Sequence, residues 1–557
     1  MEDVQSFTDS GANVETWILE AARDATPPAP APTRLGRIVS ISGLSLVAQI
    51  DPETCGAGGT AELRKGEIVR MHCGAHRVFG MVTGLSIPMP ENDGRAELYL
   101  AEIELVGETT PESNGRFNRG VSRHPALGEI LFLATPDDLE TIYNFSCGAA
   151  IAIGTLHQAK DRRAYASVDG MLGKHVAMLG STGSGKSCAV ALLLRRLLDR
   201  HARAHIVLLD MHGEYAAAFP NRAEVLTPQT MDLPYWLFTA DELAEIIVGN
   251  RDAGAHADEA ILLLKELIPA ARRAYAKTIQ FPEHLVMLDT PTPYALREVI
   301  RLIEEHMGRF DKSQPLIAAR WLKNRLETLR ADTRFGFMFG GITVRDTMAD
   351  IMRRMFRIPV DGKPLTIVDL SGVPSEVLNV VLSVLCRITF DFALWSRGEH
   401  PILLVCEEAH HYVPADPKSG FEPTKNAVAR IAKEGRKYGL SLAVVSQRPA
   451  EIDPTILSQC NTVVAFRITN ARDQDIVRGV MADSATGLLD FLPSLSTGEA
   501  IMTGEAFPVP QRVALDKLPE NQRPRSATAD FSTKWSTADA GADSVAAIVD
   551  RWRRQSR

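Results

Sequence analysis

The run Gly180-Ser-Thr-Gly-Ser-Gly-Lys186-Ser187 has glycine at its first and sixth positions, then lysine and serine. Glycines let successive backbone N–H groups turn into one concavity, the shape a polyphosphate fills. A helix opening straight after the loop adds the positive end of its dipole. In that setting the Lys186 ammonium reaches the β- and γ-phosphates, and the Ser187 hydroxyl ligates Mg²⁺. The expected ATP contacts are Gly180, Ser181, Thr182, Gly183, Ser184, Gly185, Lys186, Ser187 and Cys188.

Glu407 and Glu408 follow the apolar run Ile402-Leu-Leu-Val-Cys406. Two carboxylates at the C-terminal end of a central strand emerge beside a phosphate loop. In P-loop ATPases the first acidic residue holds the Mg²⁺ shell and the second orients or activates water. Here the first is Glu407 in place of the usual aspartate, and Glu408 is the expected general base. Asp210 ends another apolar run, in Asp210-Met-His-Gly-Glu-Tyr215. It can support Mg²⁺ or cap the next turn. Asp369 also ends a run, and there a structural role is expected. Gln447, in Ser446-Gln-Arg-Pro449, stands where a side-chain amide can sense the γ-phosphate. Phosphoryl transfer also calls for a further cation, usually from a neighbouring subunit. Arg436 is the expected finger, with Arg430 and Lys433 as the other candidates in the same basic helix end.

These residues need a strand–loop–helix frame. Val176-Ala-Met-Leu179 reads as a buried strand before the loop, and Lys186 to about Arg200 as the helix after it. Further strands are expected at Ile206–Asp210, Leu365–Asp369, Ile402–Cys406, Ser441–Val445 and Thr462–Phe466, with helices between them. That order means a parallel sheet covered by helices. Residues 151–232 and 346–515 form the two parts of this α/β core. Residues 233–345 interrupt it with runs of helical spacing, such as Ala260–Ile268 and Leu296–Ile303, and read as a helical insertion. Residues 34–150 hold short apolar runs punctuated by Gly, Pro, Asn and Asp, the pattern of a small β-barrel. His72, Cys73 and His76 lie close together there. Without a fourth ligand they read as ordinary strand and turn residues. A helix around Val14, Trp17, Ile18 and Ala21 and the proline-rich linker Ala25–Thr33 make residues 1–33 an arm. Residues 516–557 are a polar tail, with a short helix from Ser544 to Arg554.

The composition limits the function classes. Of 557 residues, 45% are hydrophobic and 23% charged, which excludes disorder throughout. The formal net charge of −8 excludes a broadly basic surface but not a basic channel. Seven cysteines with no CxxC pair fit a reducing compartment. The start, Met1-Glu-Asp-Val, carries no secretory pattern, and no run of 18 uncharged apolar residues suggests a membrane span. A cytoplasmic protein is expected.

Together the segments at 180–187, 210–215, 407–410, 433–440 and 446–449 resemble the HerA family of hexameric DNA translocases, relatives of FtsK. The order of parts agrees: a small β-barrel, a RecA-like core, an inserted helical bundle. The resemblance covers about residues 34–515. It implies a homohexamer that binds ATP between subunits and pumps duplex DNA through its pore. It also implies nucleotide binding by Lys186 and Ser187, hydrolysis by Glu408, sensing by Gln447 and a trans finger at Arg436. Lys174, twelve residues before Lys186, falls where the family carries a second basic residue near the nucleotide, usually arginine. In the family the barrel docks a partner, either the NurA nuclease or, in anti-phage operons, a sirtuin-like NADase or nuclease effector. A ring scaffold for such an effector, with DNA pumping incidental, is the alternative of a different class. A small-molecule P-loop kinase is disfavoured by the barrel, the insertion and the Ser-Gln-Arg-Pro segment.

Overall fold

The computed structural model describes residues 32–553, apart from 56–62, 89–97, 144–148, 249–254, 309–314, 341–343, 417–418, 482–485, 526–530 and 538–541. The expected helix near Val14–Ala21 and most of the proline-rich linker lie outside the described residues. The chain divides into two compact units, Met1–Ile142 and Tyr143–Arg557.

The first unit is a barrel of short strands. They are β1 (Arg34–Ser42), β2 (Ser45–Ile50), β3 (Ile68–Cys73), β4 (His76–Ser86), β5 (Tyr99–Thr109), β6 (Phe117–Arg119) and β7 (Ile130–Leu133). The order β2-β1-β7-β3-β4-β5 closes on itself through pairing of β2 with β5, which leaves six strands without an edge; β6 adds outside on β5. Alternation along β2 sends Leu46, Ala48 and Ile50 inward, where they meet Val69, Met71, Val78 and Ile103. Bulges in β1 and β4 supply the bending that closure requires. Arg70, itself buried, pairs with buried Asp138 at 2.8 Å, and Arg77 reaches the same carboxylate at 3.4 Å. This ties the helix Pro136–Tyr143 to the strands. His76 pairs with Glu108.

The second unit is built on an eleven-stranded sheet. Its strands are β8 (Ala150–Leu156), β9 (Arg163–Ser167), β10 (Val176–Leu179), β11 (His205–Asp210), β12 (Ala223–Leu226), β13 (Leu365–Asp369), β14 (Ile402–Cys406), β15 (Leu440–Ser446), β16 (Thr462–Ala465), β17 (Glu499–Gly504) and β18 (Gln511–Leu515). Seven run parallel in the order β12-β13-β11-β14-β15-β10-β16. Helices cover both faces of such strands, so β10 and β14 are apolar throughout, and these two and β15 are buried along their whole length. The parallel sheet expected from sequence is therefore only part of the whole. Four antiparallel strands, β17-β18-β8-β9, extend it beyond β16. The β8–β9 hairpin lies before the phosphate loop in sequence but joins the sheet through its far C-terminal strand.

Between β12 and β13 stand the helices Ala240–Val248, Ala255–Thr278, Leu296–Gly308 and Pro315–Ala331. The core helix Ser375–Trp395 is joined to them by a buried clamp. Arg387 donates to the buried Glu242 carboxylate at 2.9 Å and to Leu237 O at 2.7 Å, and Ser383 donates to Glu242 at 2.7 Å. That core helix is long and apolar enough to cross a membrane, but most of it is buried within the protein. The tail carries the helices Phe531–Thr537 and Ala542–Arg553.

Candidate active site

Leu179, the last residue of β10, lies level with Ser446 of β15 on one side and Ala465 of β16 on the other. The loop Gly180–Gly185 therefore leaves the sheet at its C-terminal edge between two supporting strands. Neighbouring backbone pins it there. Gly180 N–H donates to Ser446 O at 3.3 Å, and Ser181 donates to Arg467 O through its N–H at 2.9 Å and its hydroxyl at 2.8 Å. Two glycines are sterically required. Gly185, at φ +101°, opens the Lys186–Arg200 helix in a left-handed conformation. A Cβ on Gly180 would lie 2.6 Å from that of Phe466. The Lys186 ammonium is buried and donates to the Gly180 and Ser181 carbonyls at 2.6 and 2.9 Å. Burial pushes its pKa down to about 8, although Glu408 and Glu407 pull upward.

β14 delivers Glu407 and Glu408 to the same edge, both buried. Glu407 Oε1 accepts from the Tyr215 hydroxyl at 2.8 Å, while its buried Oε2 makes no hydrogen bond. Burial, reinforced by Asp210, Glu214 and Glu408, pushes Glu407 up to about 8. Glu408 takes a left-handed backbone, φ +50°, which costs a non-glycine residue about 1 kcal/mol or more. The turn carries its carboxylate toward Gln447 and His410. Gln447 Nε2 donates to Glu408 Oε1, and His410 Nδ1 lies 3.4 Å from Oε2. The other end of the Gln447 amide accepts from the Thr182 hydroxyl. One side chain thus connects the phosphate loop to the expected base.

Asp210 departs from its expected metal role. Its Oδ1 accepts N–H bonds from His212 at 3.2 Å and Gly213 at 2.9 Å, and its Oδ2 accepts from Tyr215 at 2.9 Å. A short carboxylate at a strand end satisfies the backbone of its own turn more readily than it reaches across to a metal. What the turn presents instead is Tyr215, whose hydroxyl reaches Glu407, preceded in the chain by Glu214. Neither was singled out from sequence as a site residue, although their segment was. Asp369 likewise caps its own turn through Ser371 N–H at 3.0 Å.

The basic residues lie elsewhere. Arg436 precedes β15 and Lys174 precedes β10, so both occupy the N-terminal edge of the sheet, opposite the phosphate loop. β15 spans seven residues, a separation of ~20 Å at ~3.3 Å per residue. Lys174 is half-exposed and pairs with Glu505, so it does not contact its own subunit's phosphate loop. Arg436 is exposed and forms no ion pair with a described residue, and Lys433 is exposed beside it. Arg430 is engaged, stacked 4.2 Å over the Phe390 ring with Asp391 at 3.9 Å. Cys188 is exposed on the first turn of the loop helix.

A phosphate-binding loop, paired glutamates and a bridging glutamine at one edge of a mainly parallel sheet define a P-loop ATPase. Residues 151–389 match the family model described as the central domain of helicase HerA. The chain is 27% identical over 501 residues to a DNA double-strand break repair helicase HerA of Pyrococcus furiosus, covering 84% of each chain. It is 28% identical over 435 residues to a probable helicase of Methanocaldococcus jannaschii, covering 76% of this chain and 78% of the relative. Among solved structures, VirB4 of Thermoanaerobacter pseudethanolicus matches 68% of this chain and 99% of its own, at 16% identity and a TM-score of 0.48. Residues 151–389 are thus similar to the HerA central domain, and the protein is an ATP-hydrolysing enzyme.

Proposed function

We propose that the protein is an ATP-driven, hexameric translocase or helicase for double-stranded DNA that works with a nuclease or effector partner docked on its barrel. The observation that carries this reading is the separation of Arg436 from the phosphate loop. A side chain of about 7 Å reach cannot cross ~20 Å of sheet to its own nucleotide. It can meet the nucleotide of a neighbour whose loop edge faces it, and closing that head-to-tail contact makes a ring. ATP sits on Gly180–Ser187. Mg²⁺, when bound, neutralises the developing charge on the β- and γ-phosphate oxygens. Ser187 and the unbonded Oε2 of Glu407 are the donors that fit it. Asp210, occupied with its own turn, is not among them. Glu408 takes the proton of the attacking water, held toward the phosphate loop through Gln447 and Thr182. Lys174, on the same edge as Arg436, approaches a neighbour's site rather than its own.

The test is ATP turnover by purified rings with and without duplex DNA. Strong stimulation by duplex, lost in Lys186→Ala, is the expected result. Turnover indifferent to DNA, with partner activity still dependent on the assembled ring, would leave a scaffold in place of a motor.

A further inference from the structure

Tyr215 is among the largest fully buried side chains in the protein, and it is held at both ends. Its backbone N–H donates to Asp210 Oδ2 at 2.9 Å, and its phenol donates to Glu407 Oε1 at 2.8 Å. The Asp210 carboxylate also gathers the His212 and Gly213 N–H groups, so the position of the phenol is set by the turn as a unit. A phenol is a one-proton donor at neutral pH, so it fixes one oxygen of Glu407 and leaves the other for a further donor. That other oxygen, Oε2, is buried and makes no hydrogen bond. A buried carboxylate oxygen without a partner is costly unless something else satisfies it.

We infer that Tyr215 is the positioning residue of the metal site. It holds Glu407 so that Oε2 meets the water shell of Mg²⁺. The inference rests on the reading of Ser187 and Glu407 as metal-shell residues. Mg²⁺ retains several waters and is gripped through few protein carboxylates, so fixing the angle of one carboxylate sets much of the affinity. Glutamate in place of the shorter aspartate makes such a holder necessary. Its extra rotatable bond must be fixed from outside, and the Tyr215 phenol does that. Asp210 thereby serves the metal through Tyr215 rather than by touching it.

The experiment uses the full-length chain and two metal readouts that do not depend on turnover. These are Mn²⁺ binding followed by electron paramagnetic resonance in the presence of ATP, and Mg²⁺ titration of a fluorescent ATP analogue. Tyr215→Phe removes one oxygen. Loss of a partner that orients a ligand typically weakens metal affinity by about 10-fold or more. The expected result is that weakening, with metal-free nucleotide affinity in EDTA unchanged. In a Glu407→Gln background Tyr215→Phe should add nothing. Unchanged metal affinity in Tyr215→Phe overturns the inference, as does an equal loss of metal-free nucleotide affinity or a further loss on top of Glu407→Gln. If Tyr215→Phe does not fold, Glu407→Asp withdraws the carboxylate from the phenol by one methylene. Wild-type metal affinity in that variant also overturns it. A wild-type protein that binds no ATP at all refutes instead the ATPase reading on which the inference stands.

Discussion

Glu408 and Glu407 are adjacent, yet their surroundings divide the work between them. Glu408 faces the polar groups Gln447 and His410, a setting that suits the proposed base. Replacing it by glutamine keeps its shape and removes that capacity. Glu408→Gln is expected to bind ATP normally while turnover falls by about 10²-fold or more, measured by equilibrium binding beside steady-state hydrolysis. Wild-type turnover would remove Glu408 as the base. Glu407 answers to pH instead. Its pKa rises from the ordinary glutamate range to about 8, because burial and then its carboxylate neighbours disfavour the charge. In metal-free protein the folded state therefore keeps a proton that the unfolded chain releases. Stability contributed by this group is complete below the ordinary glutamate pKa and is lost as pH rises toward about 8. Lys186, lowered to about 8 by burial, acts above that pH. There the unfolded chain holds the extra proton, so stability recovers as pH rises further. Glu407→Gln is expected to gain in melting temperature relative to wild type as pH goes from 5 to 8 in EDTA. A constant difference across that range would mean that Glu407 is already ionised in the folded protein.

At the scale of elements, the sequence was readable where one strand, one loop and one helix follow each other directly. The strand at Val176–Leu179 and the helix at Lys186–Arg200 have the bounds their residues imply, because a buried parallel strand is uniformly apolar and the glycine-rich loop punctuates it sharply. Leu365–Asp369 and Ile402–Cys406 were legible for the same reason. The antiparallel extension was not. β8 pairs with β18 across more than 350 residues of chain, and alternation within a strand carries no information about a partner that distant. The roles of the carboxylates at strand ends were half legible. Sequence places Asp210 and Glu407 at the same sheet edge, but only the three N–H groups around Asp210 decide that it caps its turn. Tyr215 was hidden for a related reason. An isolated tyrosine after Gly-Glu reads as core until the fold brings it, over 192 positions of sequence, to Glu407. Arg430 was separable from Arg436 only through the Phe390 ring beneath it.

For the whole molecule, the two edges of the sheet make opposite demands. The phosphate loop and both glutamates occupy one edge, while Arg436 and Lys174 occupy the other. On the proposed reading, a subunit organised in this way is half of two sites, and its ATPase activity belongs to the contact between copies. As the proposed finger, Arg436 is expected on replacement by alanine to take positive charge from the transition state and little from ground-state binding. In related GTPases a finger contributes roughly 10³- to 10⁵-fold in rate, and a site with Lys174 nearby should lose less than that. Lys186→Ala disables the other half of the contact by removing the cation at the phosphates. Each variant alone is expected to be inactive. Rings assembled by co-expression of the two, and isolated through a different tag on each subunit, contain some contacts in which an intact Lys186 faces an intact Arg436. Those contacts alternate with others that lack both groups. ATPase activity should therefore return in mixed rings to a fraction of the wild-type rate and rise or fall with the input ratio. Rings that carry both tags, bind ATP and still show no hydrolysis would place Arg436 in a structural role within its own subunit, unless firing requires every site at once. Tandem-fused rings with one intact Lys186 and every Arg436 intact supply the control, since turnover in them shows that a single site fires alone. With Arg430 already committed to Phe390 and Asp391, inactive mixed rings beside active fused controls would shift the finger to Lys433, an exposed cation on the same segment.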